Sequence, residues 1–252
     1  MRLILIILFI KLNIITIFGQ KLPNTLDYSI ISEQKVFFDT LRMRKIPLIT
    51  YQPSVKFQNQ PLVILSHGYG YNRGDSYLGY SYIGNFLASK GYFVISIQFE
   101  LTGDDTLAMK GNLKELRLPN WERGVQNIKF VLEQLKFLYS NLNTNQIILI
   151  GHSNGGDISM LFTHHYPEKV SKVISLDNRR VSLPKISSPC IYSLRSCDQQ
   201  ADEGVLPSIE EQNKNNITII QLENTMHNDM ANNGSDSIKE EILKFIWGFL
   251  GE

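Results

Sequence analysis

From residue 62 onward the chain is punctuated by short, almost wholly apolar runs at 62–65, 93–97, 147–150, 173–176, 190–194 and 217–220. Each is four or five residues long and shows no polar alternation. That pattern predicts strands buried on both faces, as in a parallel sheet covered by helices. The longer stretches between them, 77–89, 121–139, 155–165 and 235–250, place apolar residues at helical spacing. In the second, Val125, Ile128, Leu132, Leu135 and Leu138 line one face. Gly91 reads as a helix stop, and Ser235 and Asp236 as start signals for the last helix. Upstream, 29–38 and 45–51 are rich in β-branched and aromatic residues. Pro53 and Asn59-Gln60-Pro61 punctuate them, which predicts an antiparallel opening. Strand–helix alternation then implies an α/β fold with a mostly parallel central sheet, right-handed crossovers and helices on both faces.

Two connections stand out. The stretch 101–120 is long for a strand-to-helix link, and long links in compact folds often serve a site. By contrast, about a dozen residues separate the runs ending at Leu176 and starting at Cys190. That leaves no room for a large cap domain, so an open cleft is expected.

The first residues break the pattern. Arg2 precedes an apolar stretch from 3 to 18, interrupted by Lys11, Asn13 and Thr16 and closed by Gly19-Gln20. A positive start, an apolar core and a small residue at the end predict a signal peptide over 1–19 with cleavage near Gly19-Gln20. The remaining domain is 20–252, in a secreted or periplasmic protein. The stretch is short for crossing ~30 Å of hydrocarbon, so no stable membrane insertion is expected once it is removed. The 252 residues, 43% of them hydrophobic, are enough for one full core, and the net charge of +1 argues against a nucleic-acid partner, so none is expected. The two cysteines, Cys190 and Cys197, sit on one predicted strand. Seven residues of strand rise ~23 Å, too far for a disulfide, whose Cα atoms lie within ~7 Å. Both are expected to be buried, unbridged hydrophobes.

Candidate chemistry begins at Gly151-His152-Ser153-Asn154-Gly155-Gly156, which directly follows an apolar strand and leads into a helical stretch. This is G-x-S-x-G in the setting that gives it meaning: a serine on a tight strand-to-helix turn, with small residues letting strand and helix approach. Ser153 is the expected nucleophile. An earlier strand closes on Ser66-His67-Gly68-Tyr69-Gly70. Acyl transfer needs donors aimed at the oxyanion, and the backbone N–H groups of Tyr69 and Asn154 are the expected pair. His67 reads as a brace for this loop, and His152 as packing beneath the nucleophile. His164 and His165, late in a helix, read as surface residues.

These motifs resemble the α/β-hydrolase superfamily, in particular its dienelactone-hydrolase, cutinase-like and platelet-activating-factor-acetylhydrolase-like serine esterases. The resemblance covers about residues 30–250. It rests on His67-Gly68, the Ser153 turn, and an acid and a histidine in the expected order. The segments 39–47 with Tyr51-Gln-Pro53, and 86–94, are similar to the first hairpin and the helix-into-strand step of those proteins. The resemblance implies an α/β-hydrolase fold and a base after the last strand. His227 stands there, and no other histidine lies beyond His165. The orienting acid is open among three residues. Asp198, after the strand beginning at 189, is at the usual position and is preferred, with Asp177 and Asp202 as alternatives.

No metal-ligand spacing and no phosphate-binding glycine loop is present in the sequence, so no metal and no cofactor is expected. The resulting expectation is a carboxylesterase-like serine hydrolase. It would act through an acyl-enzyme on a small-molecule or lipid-like ester, one with a short or accessible acyl group. A peptidase or amidase, an acyltransferase on the same residues, and a binding protein that kept the fold remain alternatives.

Overall fold

The computed structural model describes residues 27–251; the expected leader at 1–19 lies outside them. Eight strands form one sheet: β1 (Ile30–Asp39), β2 (Arg44–Pro53), β3 (Gln60–Ser66), β4 (Phe93–Ile97), β5 (Leu142–His152), β6 (Val170–Leu176), β7 (Cys190–Arg195) and β8 (Ile217–Gln221). Their order across the sheet is β1-β2-β4-β3-β5-β6-β7-β8. The β1–β2 hairpin and the β2–β4 pair are antiparallel, and every pairing from β4 to β8 is parallel. This is the architecture the apolar runs predict.

Side chains of a strand alternate between its two faces, and here both faces are buried. Leu62 and Ile64 of β3, and Ile147 and Leu149 of β5, enter one core with Trp121, Val125, Ile128, Ile158 and Phe162. Their neighbours Val63, Leu65, Ile148 and Ile150 enter a second core with Ile83, Leu87, Ile242 and Ile246. The first core is covered by α2 (Leu113–Leu138) and α3 (Asn154–His165), the second by α1 (Ser81–Ser89) and α5 (Asp236–Gly251). Two buried faces explain why the strands carry no polar alternation.

Three expectations need correction. Helix α2 starts at Leu113, eight residues before the expected 121, so the link after β4 is shorter than 101–120. Pro119 lies inside this helix. It removes the N–H that would bond the Glu115 carbonyl and its ring crowds that carbonyl, a cost offset by the helix's buried face, which includes Trp121 and Val125. A short helix, α4 (Ile209–Lys214), was not expected. Its signal was present as a capping box, in which the Ser208 hydroxyl accepts from the Glu211 N–H and the Glu211 carboxylate accepts from the Ser208 N–H. Finally, both cysteines are free, but Cys190 is only half-buried and Cys197 is exposed. The strand ends at Arg195, so Cys197 already belongs to the surface turn, where its N–H bonds the Thr225 carbonyl.

The chain between β6 and β7 forms no helix, and no large cap covers the carboxyl edge of the sheet. Among the described residues, no helix is long and apolar enough to cross a membrane.

Candidate active site

Strand β5 ends at His152 and α3 begins at Asn154, leaving Ser153 alone on the turn with φ 51° and ψ −117°. A residue with a Cβ rarely takes positive φ, and such strain recurs at functional turns. The turn is held by the Ser153 N–H donating to the Leu176 carbonyl (2.9 Å) and by the Asp157 N–H donating to the Ser153 carbonyl (3.0 Å). The flanking glycines make it possible. A Cβ on Gly155 would lie 2.2 Å from the Ser66 carbonyl oxygen, and one on Gly151 would lie 2.3 Å from the Gly155 oxygen. Those neighbours are backbone, so nothing can swing aside, and helix and strand touch only because both positions lack side chains.

His227 opens a short 3₁₀ turn after β8. Its Nε2 lies 2.9 Å from Ser153 Oγ, and its Nδ1 lies 2.5 Å from Asp177 Oδ2. With Asp177 ionised, Nδ1 carries the proton and Nε2 is left to accept the one on Ser153. Asp177 directly follows β6 and, like Ser153, sits at positive φ (62°). Its carboxylate is fully buried and accepts from the Ser196 N–H (3.2 Å) and hydroxyl (2.7 Å). Its Oδ1 also pairs with Arg195 Nη2 at 2.8 Å. Burial works against the charge on Asp177. The His227 hydrogen bond, the Arg195 guanidinium and Ser196 together outweigh it and hold the carboxyl below the ordinary aspartate value.

The preferred acid, Asp198, is therefore corrected on geometry. Its Oδ1 accepts the backbone N–H of His227 at 2.6 Å and does not meet the ring nitrogen. It lies three residues beyond the end of β7, and it holds the loop that carries His227. Asp202 is exposed, and its carboxylate lies 3.9 Å from Arg180 Nε, with no hydrogen bond to His227. The structure brings Ser153, His227 and Asp177 together and leaves Asp198 and Asp202 off the line.

His67 is a brace. Its Nε2 accepts the Phe99 N–H (3.0 Å), so Nδ1 donates to the Gly68 carbonyl (2.7 Å). Tyr69 lines the cavity that Ser153 and His227 open into, a space of about 400 Å³. The Tyr69 hydroxyl accepts the Leu107 N–H, tying this loop to the one after β4. Among the described residues, the backbone N–H groups of Tyr69 and Asn154 make no hydrogen bond to another residue. The Asn154 side chain is pinned on three sides: Trp121 Nε1 donates to its Oδ1 (2.8 Å), and its Nδ2 donates to Glu100 Oε1 (2.8 Å) and Asn120 Oδ1 (3.1 Å).

Comparison with known proteins places the chain in a family. The family described as "PGAP1-like alpha/beta domain" matches residues 122–247, half of the chain, and "Serine aminopeptidase, S33" matches 58–176. The chain belongs to the α/β-hydrolase superfamily. Solved α/β-hydrolase structures share the fold at low identity. The esterase Est22 superposes with a TM-score of 0.65 at 14% identity, over 87% of this chain and 81% of its own. A Rhizomucor miehei esterase gives 0.63 at 12%, over 89% and 84%. A putative dienelactone hydrolase from Klebsiella pneumoniae gives 0.61 at 12%, over 89% and 99%. In sequence, ethanol acetyltransferase 1 of Eremothecium cymbalariae is 36% identical over 67 residues, 27% of this chain. That match spans only 19% of the acetyltransferase's length.

In this α/β-hydrolase a second layer, not anticipated from sequence, ties the site's three segments together. Tyr80 Oη accepts the Gly68 N–H (3.2 Å) and lies 2.6 Å from His152 Nδ1. His152 Nε2 lies 2.9 Å from the His227 carbonyl, so Nε2 must donate and Nδ1 must accept from the Tyr80 hydroxyl. Burial first, and the neighbouring His227 second, push His152 down to about 3, so it is neutral. Tyr80→Phe strands a buried acceptor and a buried donor. It is expected to cost about 1–3 kcal/mol, a fall in Tm of roughly 2–12 °C read by thermal melting. An unchanged Tm would show that the chain contributes nothing. The signals for Tyr80 and His152 were residue types only, because 72 positions separate them.

Proposed function

We propose that this protein is a serine esterase working through an acyl-enzyme on Ser153. The reading is carried by the unbroken line from Ser153 Oγ through His227 to buried Asp177, opening into a cavity. Ser153 Oγ attacks the ester carbonyl while His227 Nε2 takes its proton. The tetrahedral oxyanion is met by the N–H groups of Tyr69 and Asn154. His227 then protonates the leaving alcohol, and the acyl group stays on Ser153. Water, losing its proton to His227, attacks next and releases the carboxylic acid. Asp177, held by Arg195 and Ser196, fixes the imidazole tautomer and balances its charge once protonated.

A second reading is acyl transfer to an alcohol, favoured by the local likeness to ethanol acetyltransferase 1. It differs only in the nucleophile of the second step. One experiment covers both. Purified protein is given p-nitrophenyl acetate with and without ethanol, beside a peptide p-nitroanilide. Acetate release at constant nitrophenol turnover supports the esterase. Ethyl acetate formation that outcompetes acetate would move the assignment to transfer. Turnover of the anilide alone would move it to a peptidase, and no turnover of any would leave a binding protein. The export reading of residues 1–19 belongs to the same proposal, and the exported protein is expected to begin at Gln20 by mass spectrometry.

A further inference from the structure

The walls of the catalytic cavity carry information about what enters it. Gly68, Gly70, Gly79 and Ala231 supply backbone and one methyl group, and no Leu, Ile, Val, Phe or Met lines the space. A long acyl chain gains about fourfold in affinity for each methylene buried against apolar wall, and the apolar wall of this cavity is limited to the Tyr69 and Tyr80 rings and the Ala231 methyl, with no aliphatic channel leading away from Ser153. The lining also holds no Asp, Glu, Lys or Arg, so nothing compensates a charged substrate.

What it holds instead is unused hydrogen-bonding capacity. The Tyr80 hydroxyl and both nitrogens of His152 are already committed within the protein, and the Tyr69 hydroxyl accepts the Leu107 N–H. Ser76, Asn228 and Asn233 also line the cavity, and among the described residues their side chains have no hydrogen-bond partner. The contrast with Asn232, next in sequence to Asn233, is informative. Its amide is consumed by the Leu78 carbonyl, Ser81 Oγ and the Tyr82 N–H. One loop thus has an amide that holds α1 in place and two that face the cavity with donors and acceptors to spare.

Resting on the esterase reading above, we propose that the substrate is a neutral short-acyl ester of a polyhydroxylated alcohol, such as an acetylated sugar. The acyl group takes the small space walled by glycine backbone, and Ser76, Asn228 and Asn233 bond the hydroxyls of the alcohol. Ethyl acetate offers no hydroxyl for these three side chains to bond, which is the basis of the expected preference.

The test compares kcat/KM for a monoacetylated hexose and for ethyl acetate, and for p-nitrophenyl acetate, butyrate and octanoate. Wild type is expected to prefer the hexose ester over ethyl acetate by at least about tenfold, and acetate over octanoate by about a hundredfold. In the double variant Asn228→Leu with Asn233→Leu, and separately in Ser76→Ala, the hexose-to-ethyl ratio is expected to fall toward one. Both asparagines are exposed, so the double variant is expected to fold, which circular dichroism checks. Octanoate as the best substrate, no preference for the hexose ester, or an unchanged ratio in the variants would overturn the inference while a fluorophosphonate still labels the protein. Loss of labelling together with all turnover would overturn the esterase reading itself, and this inference with it.

Discussion

Ser153→Ala is expected to lower kcat for p-nitrophenyl acetate by roughly 10⁶-fold, with KM little changed. The substitution removes the oxygen that lies in the cavity 2.9 Å from His227 Nε2. Nothing nearby replaces it. Ser76 shares the cavity, but no histidine nitrogen is bonded to it. The fold should survive, because alanine occupies less space and the turn's two backbone hydrogen bonds remain. Steady-state kinetics on protein of unchanged melting temperature reads the effect. Retained turnover would place the nucleophile elsewhere.

The second large effect separates the three aspartates. Asp177→Asn is expected to cost about 10⁴ in kcat, because an amide no longer holds His227 in the tautomer that leaves Nε2 free to accept. It should also destabilise the fold by about 3–5 kcal/mol, because Arg195, itself buried, loses its counter-charge. Asp198→Asn keeps an oxygen that can accept the His227 backbone N–H, so kcat should stay within about threefold. Asp202→Asn, at an exposed position, should change nothing measurable. The comparison is made on kcat per folded molecule. A large loss at Asp198 and none at Asp177 would restore the sequence-based preference for Asp198.

That preference shows where sequence reading stops. The apolar runs locate the strands β3 to β7 because burial on both faces leaves room for little but apolar side chains and small serines, and they locate the edge strand β8 through its isoleucines although Thr218 is exposed. The Ser153 turn is legible because only glycine fits at positions 151 and 155. His227 follows because no histidine competes with it beyond 165. The acid is different: Asp177 and Asp198 each follow a strand, and strand order in the sheet is invisible in one dimension. Once β6 lies directly beside β5, the end of β6 is the nearer neighbour of Ser153. Arg195 at the end of β7 then faces Asp177, and the chain beyond it carries Asp198 to the backbone of the histidine loop. Helix α2 was underestimated for a related reason. The link expected at 101–120 includes Pro119, which disfavours a helix interior, yet in the 26-residue helix the packing of Trp121 and Val125 offsets its lost hydrogen bond and steric cost. The Tyr80–His152 link joins residues with no sequence relation and emerges only when the Gly68 loop, the elbow and the His227 loop converge.

The account stands on a reactive hydroxyl at Ser153, and the direct measurement is where a covalent inhibitor attaches. Protein treated with a fluorophosphonate and digested for mass spectrometry should carry one phosphonyl group per chain, on the peptide containing Gly151-His152-Ser153, with none on the Ser153→Ala protein. Folded wild-type protein that takes up no phosphonate, or takes it up equally on another residue, would contradict the account.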